Sequence, residues 1–88
     1  MDTLEKLKAE LIKSFPGSQF TEIWPEDQDD DPWFTLVVTW PGFDGLDHLE
    51  RQQALWNVVE KSLNETERLR VKGLFAETPA EHAALMEG

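Results

Sequence analysis

A stripe of apolar residues with spacings of three and four predicts an amphipathic helix over residues 2–15. The stripe consists of Leu4, Leu7, Leu11 and Phe15. Asp2 or Thr3 can cap the start of this helix, because their side-chain oxygens accept hydrogen bonds from free backbone N–H groups. The Pro16-Gly17 pair ends it.

Residues 18–24 and 33–40 show the two-residue alternation of β-strands. In the second strand, one face carries Phe34, Leu36, Val38 and Trp40, and the other carries Trp33, Thr35, Val37 and Thr39. The acidic run between Pro25 and Pro32 is predicted to be a loop, so the two strands are predicted to form a hairpin.

The helical period returns over residues 46–63, and Asn64 is a candidate C-cap. This helical stripe consists of Leu46, Leu49, Leu55, Trp56, Val58, Val59 and Leu63. A third strand is predicted over residues 69–75, with an alternating set of Leu69, Val71, Gly73 and Phe75. Thr78, Pro79 and Glu81 match a capping box that begins a short terminal helix.

The predicted order is therefore α-β-β-α-β-α in one domain over residues 1–88. The expected fold is α+β, with helices packed on one face of a three-stranded sheet. Trp33 and Val37 would then lie on the open face, beside Trp24. Two interpretations remain there: exposed aromatics that anchor a partner, or a surface that the terminal helix or a second copy covers.

Composition narrows the possible functions. The chain has no Cys, which excludes disulfides and thiolate metal sites and favours a cytoplasmic location. No signal peptide or membrane-spanning segment is expected. The formal charge of -10 disfavours binding to nucleic acid or anionic lipid. The candidate basic patch is Arg68, Arg70 and Lys72, which alternate along the third strand.

Catalytic and metal-binding patterns are weak. His48 lies near Asp44, Asp47 and Glu50, but one His among solvated carboxylates is typical of an exposed helix residue. His82 is expected to pack against the core. No serine lies near a His in a triad-like arrangement, so we expect no enzymatic activity.

Two loops resemble known ligand sites only in part. Asp27, Asp29 and Asp31 alternate as calcium ligands do, but the Gly and the distant Glu of an EF-hand are missing, which favours a solvated loop. The string 42–45 has the GxxG form of RNA-binding KH domains. Its aromatic and acidic insert instead favours a turn that places Phe43 in the core.

Several strings together resemble the BolA-like family, whose fold is a variant of the type II KH arrangement. They are Phe43-Asp44-Gly45, Leu49-Glu50-Arg51, Leu55-Trp56, Leu63 and Thr78-Pro79-Ala80-Glu81, within a similarity that runs from Leu4 to about Leu85. The family usually has Arg-His-Arg where this chain has Arg51-Gln52-Gln53. Its usual third-strand His corresponds to Arg70, and its hairpin-loop Cys or His is absent.

These two missing positions are the ones with which the family shares an iron–sulfur cluster with a monothiol glutaredoxin. Arginine offers no lone pair, so Arg70 cannot replace an imidazole ligand. The chain is predicted to be a divergent BolA-like protein without a cofactor.

The resemblance implies a non-enzymatic regulatory protein, in a family connected with stress response and iron–sulfur homeostasis, with a monothiol glutaredoxin as the implied partner. Arg51, Arg70 and Lys72 are predicted to contact an acidic or carboxylate-bearing partner, and Trp33 to anchor it. We expect a monomer or weak homodimer. The alternative is a transcriptional regulator that binds nucleic acid through a KH-like surface.

Overall fold

The structure, a computed structural model, describes residues 3–26 and 33–87. Its elements are α1 (Thr3–Ser14), β1 (Gln19–Ile23), β2 (Phe34–Thr39), a 3₁₀ turn (Pro41–Phe43), α2 (His48–Ser62), α3 (Glu65–Arg68), β3 (Val71–Glu77) and α4 (Pro79–Glu87). Asp2, a predicted helix cap, and the aspartates of the acidic loop lie outside the described residues. None of the described helices is both long and apolar enough to cross a membrane.

The three strands form one sheet in the order β1-β2-β3. β1 and β2 are antiparallel, whereas β2 and β3 are parallel and are connected through α2. The predicted order of elements is confirmed, with the short α3 as an addition. Asn64 is not the C-cap of α2 but the N-cap of α3, because Asn64 and Glu67 form a reciprocal capping box.

One sheet face and two helices form the core. Phe34, Leu36 and Val38 point inward from β2 and are almost fully buried. The predicted stripe of α1 is buried in full. α2 packs against both α1 and β3. It contributes Leu55, Val58 and Val59 to the core, whereas Leu49, which we predicted in the same stripe, is 64% exposed.

β3 departs from the simple alternation that the sequence predicted. Its pairing with β2 shifts between Phe34 and Thr35, which lie opposite Val71 and Gly73, so Lys72 is an extra residue in a bulge. Beyond the bulge Leu74 points inward and Phe75 outward. The prediction that Leu69, Val71, Gly73 and Phe75 share one face was therefore wrong, because one inserted residue reverses every later side chain.

The glycine string after β2 is a structural turn, as predicted. Phe43 is fully buried and its ring packs on those of Phe15 and Trp40, at centroid distances of 5.4 and 5.3 Å. The Trp40 ring lies across Gly42, where an added Cβ would meet it at 2.3 Å. Trp40 Nε1 also donates to the carbonyl oxygen of Pro16 at 2.9 Å, which ties this turn to the end of α1.

Candidate interaction site

Three of the predicted contact residues lie together where the chain enters the parallel pair β2–β3. Trp33 directly precedes β2, and the N–H of Phe34 donates to the carbonyl oxygen of Arg70 at 2.9 Å. Lys72 follows in the bulge and is exposed. We call this group, Trp33, Arg70 and Lys72, the entry end of the sheet.

The entry end has side-chain donors without partners among the described residues. Within the described residues, neither Arg70 nor Lys72 donates a side-chain hydrogen bond or forms an ion pair, and the Trp33 indole is 38% exposed. The nearby Glu67 has a lowered pKa, caused first by the hydrogen bond from the Asn64 backbone and then by Lys6 at 3.0 Å. Lys6 bonds both oxygens of that carboxylate, whereas Arg70 acts on it only through its charge, so the N–H donors of Arg70 stay unused among the described residues.

Arg51, the fourth predicted contact residue, lies at the opposite end of β3. Its Nε donates to the Leu46 carbonyl at 3.0 Å, and its Nη1 donates to Glu81 Oε1 at 2.7 Å. Nη1 also reaches the Ala76 carbonyl at 3.4 Å, and the side chain is only 14% exposed. A strand the length of β3 spans roughly 20 Å. The structure therefore separates Arg51 from Arg70 and Lys72.

The Arg51 contact also stabilises the ionised form of Glu81. The pKa of the Glu81 carboxyl is lowered, first by the hydrogen bond from Arg51 and then by the backbone N–H of Thr78. The second bond belongs to the capping box predicted for α4, which is confirmed by Thr78 N to Glu81 Oε1 at 2.7 Å and Glu81 N to Thr78 Oγ1 at 3.2 Å. Arg51 thus joins α2, β3 and the start of α4.

Gln52 occupies the position where the family pattern has His, and here it covers a sheet edge. Its Nε2 donates to the Leu74 carbonyl at 2.9 Å, while its Oε1 accepts from Trp56 Nε1 at 3.1 Å. Together with the contact of Arg51 to Ala76, this occupies two alternate carbonyls on the free edge of β3. Such side-chain bonds hinder the addition of another strand at this edge.

Two sequence-based expectations about aromatic and imidazole side chains were wrong. Trp24 was expected on the open face, but its ring packs on that of Phe34 at a centroid distance of 5.3 Å, on the helix side of the sheet. His82 was expected to pack against the core, but it is half-buried and its Nδ1 hydrogen-bonds Glu77 Oε1. That oxygen also accepts from Thr39 Oγ1 at 2.9 Å, so a buried carboxylate needed these polar partners.

No metal-binding group was found among residues 3–26 and 33–87, where no three His, Cys, Asp or Glu side chains converge. His48 is exposed at the start of α2. The neighbouring Asp47 and Glu50 form the capping box of this helix, with Asp47 Oδ1 accepting from the Glu50 N–H at 2.8 Å. Their carboxylates therefore accept hydrogen bonds from the backbone N–H groups at the start of α2.

The mixed three-stranded sheet with its layer of α1 and α2 defines a small α+β class of proteins, and solved structures share it. BolA1 from Arabidopsis thaliana matches with a TM-score of 0.63 at 17% identity, over 92% of this chain and 96% of that chain. A BolA protein homologue from Coxiella burnetii matches with a TM-score of 0.63 at 21% identity, over 94% and 99%. The BolA domain of SufE1 from Arabidopsis thaliana gives 0.64 at 17%, over 88% and 92%.

The chain therefore has the BolA-like fold. No family model matches its sequence, and no curated protein matches it either. At these identities the likeness establishes the arrangement of helices and strands, and the chemistry has to be argued from this chain's own side chains.

Proposed function

We propose that this BolA-like protein is a non-enzymatic binding protein whose entry end holds an acidic surface of a protein partner. The observation that supports the proposal is that Trp33, Arg70 and Lys72 lie at the start of the paired strands β2 and β3, each with its side-chain donors unused within the described residues. Two cations beside an exposed indole suit a carboxylate-bearing surface with an apolar centre, because Trp and Arg are common binding hot spots.

A monothiol glutaredoxin is the partner we propose, by analogy with the family that the sequence resembles. We propose that the contact involves no shared iron–sulfur cluster, since the resemblance aligns Arg70 with the usual ligand His and the chain contains no Cys. Arg51 takes no part in this proposal, because its guanidinium already binds Glu81 and the Leu46 carbonyl.

Calorimetric titration with a purified monothiol glutaredoxin tests the proposal. We expect the Arg70→Gln/Lys72→Gln double variant to bind about tenfold more weakly than the unchanged protein, because two charge-assisted contacts are lost. Trp33→Ala should weaken binding by a similar or larger factor. The control is Lys13→Gln/Lys61→Gln, which removes the same charge from exposed positions in α1 and α2 and should stay within about threefold.

Three results would contradict the proposal. The first is no binding to the glutaredoxin, and the second is equal weakening by the control and the entry-end variants. The third is a visible absorption band of an iron–sulfur cluster in the co-expressed complex, which would contradict the absence of cluster ligation. Clear affinity for DNA or RNA at low salt would instead favour the nucleic-acid alternative.

A further inference from the structure

An open groove of about 450 Å³ lies between α4 and the outward face of the sheet, away from the entry end. Val37, Phe75 and Leu85 form its apolar walls, and Arg51 and Glu81 lie at its polar side. Phe75 is 53% exposed and Leu85 is 73% exposed, although both are large apolar side chains. The groove is comparable in volume with ordinary ligand sites, which span roughly 300–1,000 Å³.

The Phe75 ring lies next to Gly73, the glycine two residues before it. A Cβ added at Gly73 would lie 3.4 Å from Phe75 Cε2 and 3.2 Å from Thr35 Cγ2. Because Gly73 has no side chain, the ring can lie over its backbone toward Thr35. An aromatic side chain has only two rotatable bonds, so Phe75 loses little conformational entropy when another side chain packs on it.

The polar side of the groove holds one guanidinium, of Arg51, and two carboxylates, of Glu77 and Glu81. Glu81 Oε1 accepts from Arg51 and from the Thr78 N–H, whereas Oε2 has no hydrogen-bond partner within the described residues. The side chain of Glu81 is half exposed, and its lowered pKa keeps it ionised at neutral pH. The side chain of Arg51 is 14% exposed and that of Glu81 is 49% exposed, so the carboxylate is the more accessible of the two groups.

The charge of the whole chain decides between the possible occupants. At a formal charge of -10, two copies of the protein repel each other, which disfavours self-association through this face. The same charge attracts a cationic segment and accelerates its association. Apolar walls beside an ionised carboxylate therefore suit side chains that are apolar on one face and basic on the other.

We propose that the groove binds a cationic amphipathic peptide segment of a partner protein. An apolar side chain of the segment packs between Phe75 and Leu85, and a neighbouring Lys or Arg pairs with Glu81 Oε2. This surface differs from the entry end in position and in sign of charge, so it does not depend on the function proposed above.

Fluorescence anisotropy with a labelled amphipathic helical peptide of Leu and Lys tests this inference at physiological ionic strength. We expect Phe75→Thr and Leu85→Gln each to raise the Kd about tenfold, because each removes a buried apolar contact. Leu49→Gln and Ile12→Gln are the matched controls, since both replace exposed apolar residues that do not line the groove, and they should stay within about twofold. A peptide with Glu in place of Lys should bind at least about tenfold more weakly.

The inference is overturned if the control variants weaken binding as much as the groove variants do, because the attraction would then be charge alone. Equal binding of the Glu-containing peptide would overturn it as well. A dimer in sedimentation that Phe75→Thr dissociates would show that a second copy occupies the groove. All four substituted residues are exposed by a third or more, so the variants should keep the unfolding midpoint of the unchanged protein.

Discussion

The two ends of the parallel pair β2–β3 each carry an arginine, and the two arginines differ in their hydrogen bonds. At the entry end, Arg70 makes no side-chain hydrogen bond within the described residues. At the exit end, which we define as Thr39, Trp40, Arg51, Glu77 and Glu81, Arg51 donates to two backbone carbonyls and to a carboxylate. Both arginines are half-buried, so the acceptors that the fold brings within reach decide whether the guanidinium is used internally.

The exit end is held by several interactions at once. The Trp40 N–H donates to the Glu77 carbonyl at 2.9 Å, and the Glu77 carboxylate accepts from Thr39 and bonds His82. Among the described residues, the entry end has backbone bonds, from the Phe34 N–H to Arg70 and from the Arg70 N–H to Glu67, and no side-chain hydrogen bond. The donors of Arg51 are already bonded at the exit end, so we propose that an acidic partner contacts the entry end, where the donors of Arg70 and Lys72 are unused among the described residues.

The largest stability effect is expected from Gly42→Ala at the exit end. The new Cβ would lie 2.3 Å from the Trp40 ring, which is rigid and packs on Phe15 at 4.9 Å. Displacing that ring should lower the free energy of unfolding by about 2–3 kcal/mol, measured by urea denaturation.

A double-mutant cycle provides the control for this effect. If the Trp40 ring causes the damage, Gly42→Ala should cost much less in a Trp40→Leu background than in the unchanged protein. Additive losses would mean that the backbone of the turn, and not the ring, is responsible.

The next largest effect separates the two arginines directly. Arg51→Gln should lower the free energy of unfolding by about 2 kcal/mol, because charge-assisted hydrogen bonds are lost and the Ala76 and Leu46 carbonyls lose a donor. Arg70→Gln should change it by less than about 0.5 kcal/mol. Urea denaturation under identical conditions measures the free energy of unfolding of each variant. Equal losses for Arg51→Gln and Arg70→Gln would contradict the proposed difference between the two ends.

The smallest expected effect is on the free energy of unfolding at acidic pH. The pKa of Glu81 is lowered, first by Arg51, so the unfolded chain takes up a proton at this carboxyl at a higher pH than the folded protein does. The stability that depends on Glu81 is therefore present above the ordinary glutamate value of 4.5 and is lost as the pH falls through the folded pKa. Glu22 and Glu67 act in the same direction, through Lys8 and the Asn64 backbone respectively.

Unfolding measured as a function of pH tests this linkage. Glu81→Gln keeps an oxygen that can cap α4 but removes the titrating group, so the loss of stability toward acid should become shallower. Glu65→Gln is the control, because the Glu65 carboxylate is exposed and has no hydrogen bond among the described residues. If Glu65→Gln changed the slope as much, the effect would be one of total charge.

The capping pairs and the apolar stripes show how far sequence reasoning reached. Thr78 and Glu81 were placed correctly because a capping box depends on residues three positions apart. Asn64 and Glu67 have the same spacing, and that signal could have revealed α3. By contrast, nothing local indicated the bulge at Lys72, since its position follows from pairing with a strand more than thirty residues earlier.

Sequence patterns were enough to predict the order of elements, the buried stripe of α1, the turn at Phe43 and the absence of thiolate chemistry. These depend on short-range periodicity, on steric limits of Pro and Gly, and on composition. Three-dimensional packing decided that Arg51 bonds Glu81 while Arg70 has no side-chain hydrogen bond among the described residues. It also decided that Trp24 faces the helices and that His82 bonds a buried carboxylate. Such roles depend on acceptors from distant parts of the chain, because a buried polar group takes the partner that folding brings to it.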